Sequence, residues 1–199
     1  MFKEKKYVQK TFKDPLPPET HVQNINFQDC RFNGCHWSEC KLEKCSFERC
    51  TFSNCNLSLI KLPDTTFKNV IFEDSRLMGI NWCDANWSKN SFLWVKHIDF
   101  IRCLLDHSLY IGLDLSETSF QNCRAHHLDF EGANLTQANF SGADLLQSHF
   151  TNCDLTEADF TQAVNYAINA AHNILHKTRF SMPEAISLLY GLDIILEEF

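Results

Sequence analysis

Residues 133–145 read Ala-Asn-Leu-Thr-Gln-Ala-Asn-Phe-Ser-Gly-Ala-Asp-Leu, and a large apolar residue returns at every fifth position. The same spacing runs from Val22 to Phe160, with one slip between Phe92 and Phe100. An amphipathic helix would space its apolar residues by three and four, and a strand would space them by two. A period of five therefore predicts a solenoid whose chain turns a corner in each repeat, and whose repeats bury their apolar side chains only by stacking.

The residue two places before each large apolar residue is mostly small, and it completes the predicted inward set. Similar residues also recur every twenty positions, which predicts a coil with four sides on which like side chains stack. Neighbouring coils should then be ~4.8 Å apart, as adjacent strands are. The predicted columns include Phe27, Phe47, Phe67 and Trp87; Phe32, Phe52, Phe72 and Phe92; Phe100, Phe120, Phe140 and Phe160; and Leu115, Leu135 and Leu155.

The ten cysteines follow the same pattern, because nine of them occupy the small inward position and only Cys83 does not. Consecutive cysteines five residues apart should lie on successive sides of the coil, so they do not converge on a metal. We therefore expect buried, reduced thiols, since free cysteine packs as a small apolar residue, and we expect no cofactor. The reduced thiols favour the cytosol. The chain also has no apolar stretch of membrane-spanning length and no signal-peptide pattern at its start.

Several segments resemble one protein family. The repeats at 133–145 and 153–160 resemble the pentapeptide-repeat family over about residues 22–164. The segments 56–60, 77–82, 163–166 and 180–185 look like its albicidin-resistance and quinolone-resistance (Qnr-type) subgroup. The resemblance implies an all-β fold, a right-handed quadrilateral β-helix, in a cytoplasmic bacterial protein that dimerises through its C-terminal ends. It also implies DNA mimicry toward a type II topoisomerase, either DNA gyrase or topoisomerase IV.

The chain divides into three predicted parts. Residues 1–21 lack the repeat and should cap the first coil, residues 22–164 form the β-helix, and residues 165–199 form a C-terminal cap and dimerisation segment. Ser181, Pro183 and Glu184 form a capping-box pattern, so a short α-helix should run from Met182 to about Tyr190. The apolar tail either seals the last coil or forms a dimer interface. The candidate interface residues are Leu188, Leu189, Leu192, Ile194, Ile195 and Phe199.

A phase break near residues 93–99 interrupts the repeat, because eight residues separate Phe92 from Phe100 instead of five. The extra residues form either a packed bulge or a protrusion that contacts a partner. The candidate protrusion residues are Trp94, Lys96 and His97. Qnr-type proteins often carry longer loops than this one.

Negative charge is concentrated in the second half of the chain. Residues 106–164 contain nine acidic residues and one basic residue, Arg124, whereas residues 1–105 contain fifteen basic and twelve acidic residues. Such a surface would attract a basic groove and repel nucleic acid. Five of the nine acids precede a large apolar residue, where the repeat itself prefers Asp or Asn. The candidate acidic surface comprises Asp106, Asp114, Glu117, Asp129, Glu131, Asp144, Asp154, Glu157 and Asp159.

Two hypotheses follow from these features. The first is a DNA mimic that binds a type II topoisomerase and protects it from poisons or modulates its response to them. The second is a structural or adaptor rod that binds another protein. Catalysis is not expected, because His126, His127 and Asp129 should point in different directions and the sequence has no phosphate-binding or nucleophile motif.

Overall fold

The described strands pair in parallel, and all but one of these pairings join residues twenty positions apart, as the sequence period predicts. The computed structural model describes residues 2–87, 98–191 and 194. The chain forms a right-handed quadrilateral β-helix of about eight turns, which confirms the predicted fold class.

The strands are short because each one spans only part of one side of the coil. They are β1 (Lys6–Val8), β2 (Thr11–Phe12), β3 (His21–Gln23), β4 (Asn26–Gln28), β5 (Arg31–Asn33), β6 (Lys41–Glu43), β7 (Ser46–Glu48), β8 (Thr51–Ser53), β9 (Thr66–Lys68), β10 (Val70–Glu73), β11 (Ile98–Ile101), β12 (Asp159–Phe160) and β13 (Arg179–Phe180). They form four parallel sheets with the orders β1-β4-β7-β9, β2-β5-β8-β10-β11, β3-β6 and β12-β13. Between Leu104 and Asp159, isolated parallel bridges continue the ladder.

A left-handed backbone at each corner explains the period of five. The second residue after most of the central apolar residues has a positive φ, as in Glu117 (61°), Gln137 (58°) and Glu157 (58°). The left-handed region of positive φ is sterically unfavourable for most residues, and asparagine and aspartate tolerate it better than other residues with a side chain. Asparagine and aspartate occupy this corner at Asn54 and Asp64. Each side of the coil therefore contains two inward residues, and at each corner the chain turns onto the next of the four sides.

The inward side chains stack in columns that define four faces of the rod. Face 1 contains Tyr7, Phe27, Phe47 and Phe67, followed by Leu115, Leu135 and Leu155; face 2 contains phenylalanines from Phe12 to Phe180; face 3 contains Trp37, Leu57, Leu77, Leu105, Ala125 and Leu145; face 4 contains Val22, Leu42, Leu62, Trp82, Tyr110, Phe130 and Phe150. Most of these side chains are fully buried. The rod therefore has one continuous core along its axis.

Face 2 carries nine stacked phenylalanine rings along the whole described rod. The centroids of neighbouring rings are 4.3 to 5.5 Å apart. Phe100 stacks on Phe72 at 5.5 Å, and β11 pairs with β10 at an offset of 28 residues. The prediction that Phe92 follows Phe72 in this column is therefore wrong. The pairing offset is 28 here instead of 20, so the two predicted phenylalanine columns are one.

The rod begins one coil earlier than the sequence analysis predicts. Tyr7 in β1 pairs with Phe27, and Phe12 in β2 pairs with Phe32. Both residues keep the five-residue phase, so residues 6–12 extend the ladder instead of only covering its edge. Three prolines follow β2, at residues 15, 17 and 18.

The C-terminal end also differs from the prediction. The ladder continues past residue 164, because β13 pairs with β12 and Ile174 bridges Asp154. Three short 3-10 helices occur in the described chain, at Trp82–Asp84, Ala170–His172 and Glu184–Gly191. The last one replaces the predicted α-helix. The Ser181 hydroxyl accepts a hydrogen bond from the Gln162 backbone N–H at 3.2 Å, so this side chain joins the coil below and forms no capping box.

The small inward residues have a polar role that explains why cysteine, serine and threonine recur there. The Cys50 thiol donates to the carbonyl oxygen of Phe27 at 3.5 Å, and the Ser108 hydroxyl donates to that of Leu77 at 3.0 Å. These carbonyl groups lie in the preceding coil at the buried side of the ladder. The thiol or hydroxyl group donates a hydrogen bond to each of these buried carbonyl oxygens. A buried carbonyl group without a hydrogen bond would destabilise the fold.

All ten cysteines are free thiols, of which nine are buried and Cys83 is exposed. Burial raises the pKa of Cys50 to about 12 and that of Cys153 to about 11. Among the described residues, no group of three or more His, Cys, Asp or Glu side chains is arranged to hold a metal ion. No helix within the same residues is long and apolar enough to cross a membrane.

Thiol titration should separate Cys83 from the other nine cysteines. With an aromatic disulfide reagent at pH 8 we expect about one rapidly reacting thiol in the folded protein and all ten after denaturation, because the reagent must reach the sulfur atom and only Cys83 is exposed. The Cys83→Ser variant should lose the rapid phase alone. Several rapidly reacting thiols in the folded protein would contradict the inward placement of the cysteine columns.

Candidate protein-binding surface

The nine predicted acidic residues lie on all four faces of the rod. Face 1 carries Asp114, Glu117, Asp154 and Glu157; face 2 carries Asp159; face 3 carries Asp106 and Asp144; face 4 carries Asp129 and Glu131. The largest group is therefore on face 1, and we call Asp114, Glu117, Asp154 and Glu157 the acidic face.

The acidic face is built from two parallel columns of side chains. Asp114, Asn134 and Asp154 bridge one another in successive coils, and Glu117, Gln137 and Glu157 occupy the corresponding corners. The Asn134 amide donates to the Asp114 carboxylate at 3.0 Å, and the Gln137 amide donates to the Glu157 carboxylate at 2.8 Å. The amides thus separate the charged coils and stabilise the carboxylates without neutralising them.

The aspartates that precede the central apolar residues also support the turns of the coil. The Asp154 carboxylate accepts a hydrogen bond from the Thr156 backbone N–H at 3.0 Å, and Asp129 accepts one from Glu131 at 3.0 Å. Asn134 accepts from Thr136 in the same way at 3.1 Å. Because asparagine performs this role equally well, the turn requires an oxygen acceptor and not a charge.

Asp106 does not contribute to an acidic surface, and its assignment to one is wrong. It is only 6% exposed, and Arg124 lies across its carboxylate with Nη2 at 2.5 Å from Oδ2 and Nε at 3.3 Å from Oδ1. The His126 backbone N–H also donates to Oδ1, at 3.2 Å. The sequence spacing does not show this pairing, because the two residues are eighteen positions apart and meet only across neighbouring coils.

Two other acids have partners that reduce their free charge. Asp144 lies 2.8 Å from His126 Nε2 and accepts a hydrogen bond from the Asn165 amide at 2.8 Å. Burial opposes ionisation of Asp144, but these two hydrogen bonds outweigh it and lower its pKa. Asp159 lies 3.1 Å from the Arg179 guanidinium.

The first half of the rod neutralises its charges locally. Arg49 binds Asp29 with Nε at 2.6 Å from Oδ1, and Arg102 binds Asp74 at 2.7 Å. The arginine hydrogen bonds lower the pKa of both aspartates. Opposite charges thus alternate between coils in the first half, whereas acids and amides alternate on the acidic face of the second half.

The structure describes the two adjacent histidines but not the candidate protrusion residues. His127 stacks on His107 with ring centroids 4.7 Å apart, while His126 faces Asp144, so the adjacent histidines point to different neighbours. The candidate protrusion residues, Trp94, Lys96 and His97, lie outside the described residues.

Apolar side chains are exposed at the C-terminal end. Leu188 is half-buried, Leu189 is 37% exposed and Ile194 is 51% exposed. Leu192, Ile195 and Phe199 lie outside the described residues. Ile174 and Met182, which are not among the predicted interface residues, are also exposed, at 56% and 71%. The period of five could have identified Ile174, because it occupies a position where the preceding coils carry Asp or Asn.

Comparisons with known proteins agree with this architecture. A sequence model of the pentapeptide repeat region matches residues 25–110 and 95–180. No curated protein matches the chain. Full-length QnrB1, a plasmid-mediated fluoroquinolone resistance protein, has a similar structure, with a TM-score of 0.64, 13% identity, and coverage of 95% of this chain and 100% of QnrB1.

A trypsin-treated QnrB1 variant gives a TM-score of 0.55 at 15% identity and covers 97% of this chain and 99% of its own. HetL, a pentapeptide repeat protein involved in heterocyst differentiation regulation in the cyanobacterium Nostoc sp., gives 0.46 at 19% identity, with 90% and 87% coverage. At these identities the structural likeness shows the fold alone. The sequence model matches well over half of the chain, and the protein therefore belongs to the pentapeptide-repeat family.

Proposed function

We propose that the protein is a DNA mimic that binds the DNA-binding groove of a bacterial type II topoisomerase, DNA gyrase or topoisomerase IV, in the cytoplasm. In this role it protects the enzyme from topoisomerase poisons or modulates its response to them. The observation that carries the proposal is the charge of the second half of the rod. Similarity to the fold of a fluoroquinolone resistance protein supports it.

The charge density of this half is comparable with that of DNA. Residues 106–164 carry nine acidic residues and one arginine, a net charge of −8. They fill about three coils, or ~14 Å of the axis at ~4.8 Å per coil. That is about one net charge per 1.8 Å, close to the value of about one per 1.7 Å for double-stranded DNA. A basic groove that attracts DNA should therefore attract this half of the rod.

The acidic face presents carboxylates to solvent. Asp114 is exposed, and its described hydrogen-bond partners are the Asn134 amide and the backbone N–H and hydroxyl of Ser116. Charges held on a rigid ladder need little reordering when a partner binds, which reduces the entropic cost of association.

A homodimer joined at the C-terminal ends would extend this surface. Ile174, Met182, Ile186 and Leu189 expose apolar area at this end of the rod. Burying these side chains against a second copy would remove them from water and bring two acidic segments into one continuous rod. We propose that the interface uses the predicted residues Leu188, Leu189 and Ile194 together with Ile174, Met182 and Ile186. The other predicted interface residues, Leu192, Ile195 and Phe199, lie outside the described residues.

A second candidate function is a structural or adaptor rod for another protein. The turn hydrogen bonds of Asp114, Asp129, Asp144, Asp154 and Asp159 favour it, since the repeat uses these five residues for its own folding. Under this alternative the acidic charge is a property of the fold, and topoisomerases are unaffected.

The test of DNA mimicry is a gyrase supercoiling assay, with and without a fluoroquinolone, across a titration of the protein. The variant converts the acidic face to amides through Asp114→Asn, Glu117→Gln, Asp154→Asn and Glu157→Gln. We expect the effective concentration to rise at least tenfold and the salt dependence of binding to become weaker, because fewer charges face the groove. The fold should persist, since the amide oxygens can still accept the turn hydrogen bonds.

A matched control neutralises four exposed acids of the first half, through Glu4→Gln, Glu19→Gln, Glu39→Gln and Asp64→Asn. This control should act on gyrase at the wild-type concentration. A folded acidic-face variant that is as active as the wild type would contradict mimicry by this face. A wild-type protein without effect on gyrase or topoisomerase IV would favour the adaptor alternative.

The dimer is tested by placing charge in its apolar interface. Leu189→Asp combined with Ile194→Asp should yield a monomer, because burying an unpaired carboxylate against apolar surface is costly. Light scattering after size exclusion at micromolar concentration gives the mass. The control is Leu59→Asp, at a position that is 54% exposed and distant from this end. A stable wild-type monomer would refute the dimer.

A further inference from the structure

A crevice at the N-terminal end of the rod has no role in the proposed function. It has a volume of about 410 Å³ and is lined by the aromatic residues Phe2, Tyr7, Phe12 and Trp37 on one side and by Asp14 and the prolines that follow it on the other. This volume lies within the range of ~300–1,000 Å³ that is typical of small-molecule sites. The crevice lies beside the first described coil, at the end of the aromatic columns formed by the described residues.

Hydrogen bonds hold both walls of the crevice. The backbone N–H groups of Lys3 and Glu4 donate to the Tyr7 hydroxyl at 2.7 and 3.0 Å, which fixes the segment that carries Phe2. On the other wall, the Trp37 indole N–H donates to the carbonyl oxygen of Asp14 at 3.1 Å. Specific contacts therefore determine the shape of the crevice, and it is not a gap left by poor packing.

The aromatic rings are arranged edge to face around Phe2. Its ring centroid lies 5.6 Å from Tyr7, 5.6 Å from Phe12 and 5.8 Å from Trp37, at interplanar angles of 66° to 83°. Rings packed at such angles present both faces and edges to a shared space. The faces of aromatic rings carry partial negative charge and attract cations.

One carboxylate adds a full negative charge to this aromatic site. Asp14 lines the crevice, its side chain is exposed, and no described lysine or arginine forms an ion pair with it. The Trp37 indole N–H is already bonded to the Asp14 carbonyl. No lysine or arginine is among the residues that line the crevice, whereas an apolar cation would find aromatic rings and a carboxylate there.

We propose that this crevice binds a small organic cation with an apolar surface, of the quaternary ammonium class. The aromatic rings contact the methyl groups of the cation, and the Asp14 carboxylate balances its charge. This class of ligand matches the site because it needs no hydrogen-bond acceptor, and aromatic cages recognise it through cation–π attraction. The proposal is independent of topoisomerase binding, which uses the second half of the rod.

The experiment titrates the full chain with benzyltrimethylammonium chloride, followed by the NMR signal of the Trp37 indole N–H. The Trp37→Phe variant identifies this signal. We expect saturable binding with a Kd on the order of 1 mM, as a ligand of this size should give. To isolate the charge, choline is compared with its neutral isostere 3,3-dimethylbutan-1-ol, and choline should bind at least threefold more tightly.

Two variants test the walls of the site. Asp14→Asn should weaken binding of the cations about threefold, since the carboxylate is exposed, and Phe2→Leu should weaken it by a similar factor because it removes one ring. Asp64→Asn, an exposed carboxylate elsewhere on the rod, should leave binding unchanged. Equal affinity for choline and its isostere, unchanged affinity in both wall variants, or no shift of the Trp37 signal at 20 mM would each overturn the proposal.

Discussion

Replacing Phe140 with alanine should lower the free energy of unfolding by about 3–5 kcal/mol, the usual cost of truncating a buried aromatic side chain. Phe140 is fully buried, and its ring stacks between Phe120 and Phe160 with centroids 4.8 Å away on both sides. It also meets Phe130 and Phe150 edge to face at 5.6 and 5.7 Å. Alanine would therefore leave a cavity that a rigid ladder of backbone hydrogen bonds cannot close.

Equilibrium denaturation monitored by circular dichroism measures this cost. The first control is Ala125→Gly, at an inward position that is equally buried but already small, where we expect a loss of about 1 kcal/mol or less. The second control is Leu146→Ala, at a side chain that is 42% exposed. Similar losses at all three positions would refute the assignment of inward and outward residues.

Replacing Arg124 with leucine should lower the free energy of unfolding by about 2–3 kcal/mol, a large effect for a surface arginine. The guanidinium covers the Asp106 carboxylate, whose side chain is only 8% exposed. Without Arg124 this carboxylate would remain buried with the His126 backbone N–H as its hydrogen-bond donor. The loss comes from the uncompensated buried charge and not from the strength of a surface salt bridge.

The double variant Arg124→Leu/Asp106→Asn tests this reason. Asparagine removes the charge and can still accept the hydrogen bond from His126, so the double variant should recover about 1–2 kcal/mol relative to Arg124→Leu alone. The control Arg102→Leu breaks ion pairs with Glu73 and Asp74, whose side chains are each 40% exposed, and should cost less than about 1 kcal/mol. Equal losses for the two arginine variants, without recovery in the double variant, would contradict the buried-charge account.

The candidate site was only partly predictable from the sequence. The period of twenty placed Asp114 with Asp154 and Glu117 with Glu157, and the structure brings these residues together on face 1. The sequence could not show that Asp106 is buried by Arg124 or that Asp144 faces His126, since these contacts depend on side-chain direction across two coils. It also did not reveal the aromatic crevice, which requires the Phe2 segment to fold over Tyr7.

The sequence by itself determined the solenoid, its four sides, the inward residues and the burial of the nine inward cysteines. The reason is that the place of a residue within the five-residue repeat fixes whether its side chain points toward the axis or away from it. Only the tertiary structure decided where the described ladder begins and ends and which residues stack across the phase break. Tyr7, Phe12 and Phe180 join the ladder through pairing with strands twenty residues away, and Phe100 stacks on Phe72 at an offset of 28. At the two ends the repeat is too short to be recognised in the sequence, so contacts between coils determine the structure there.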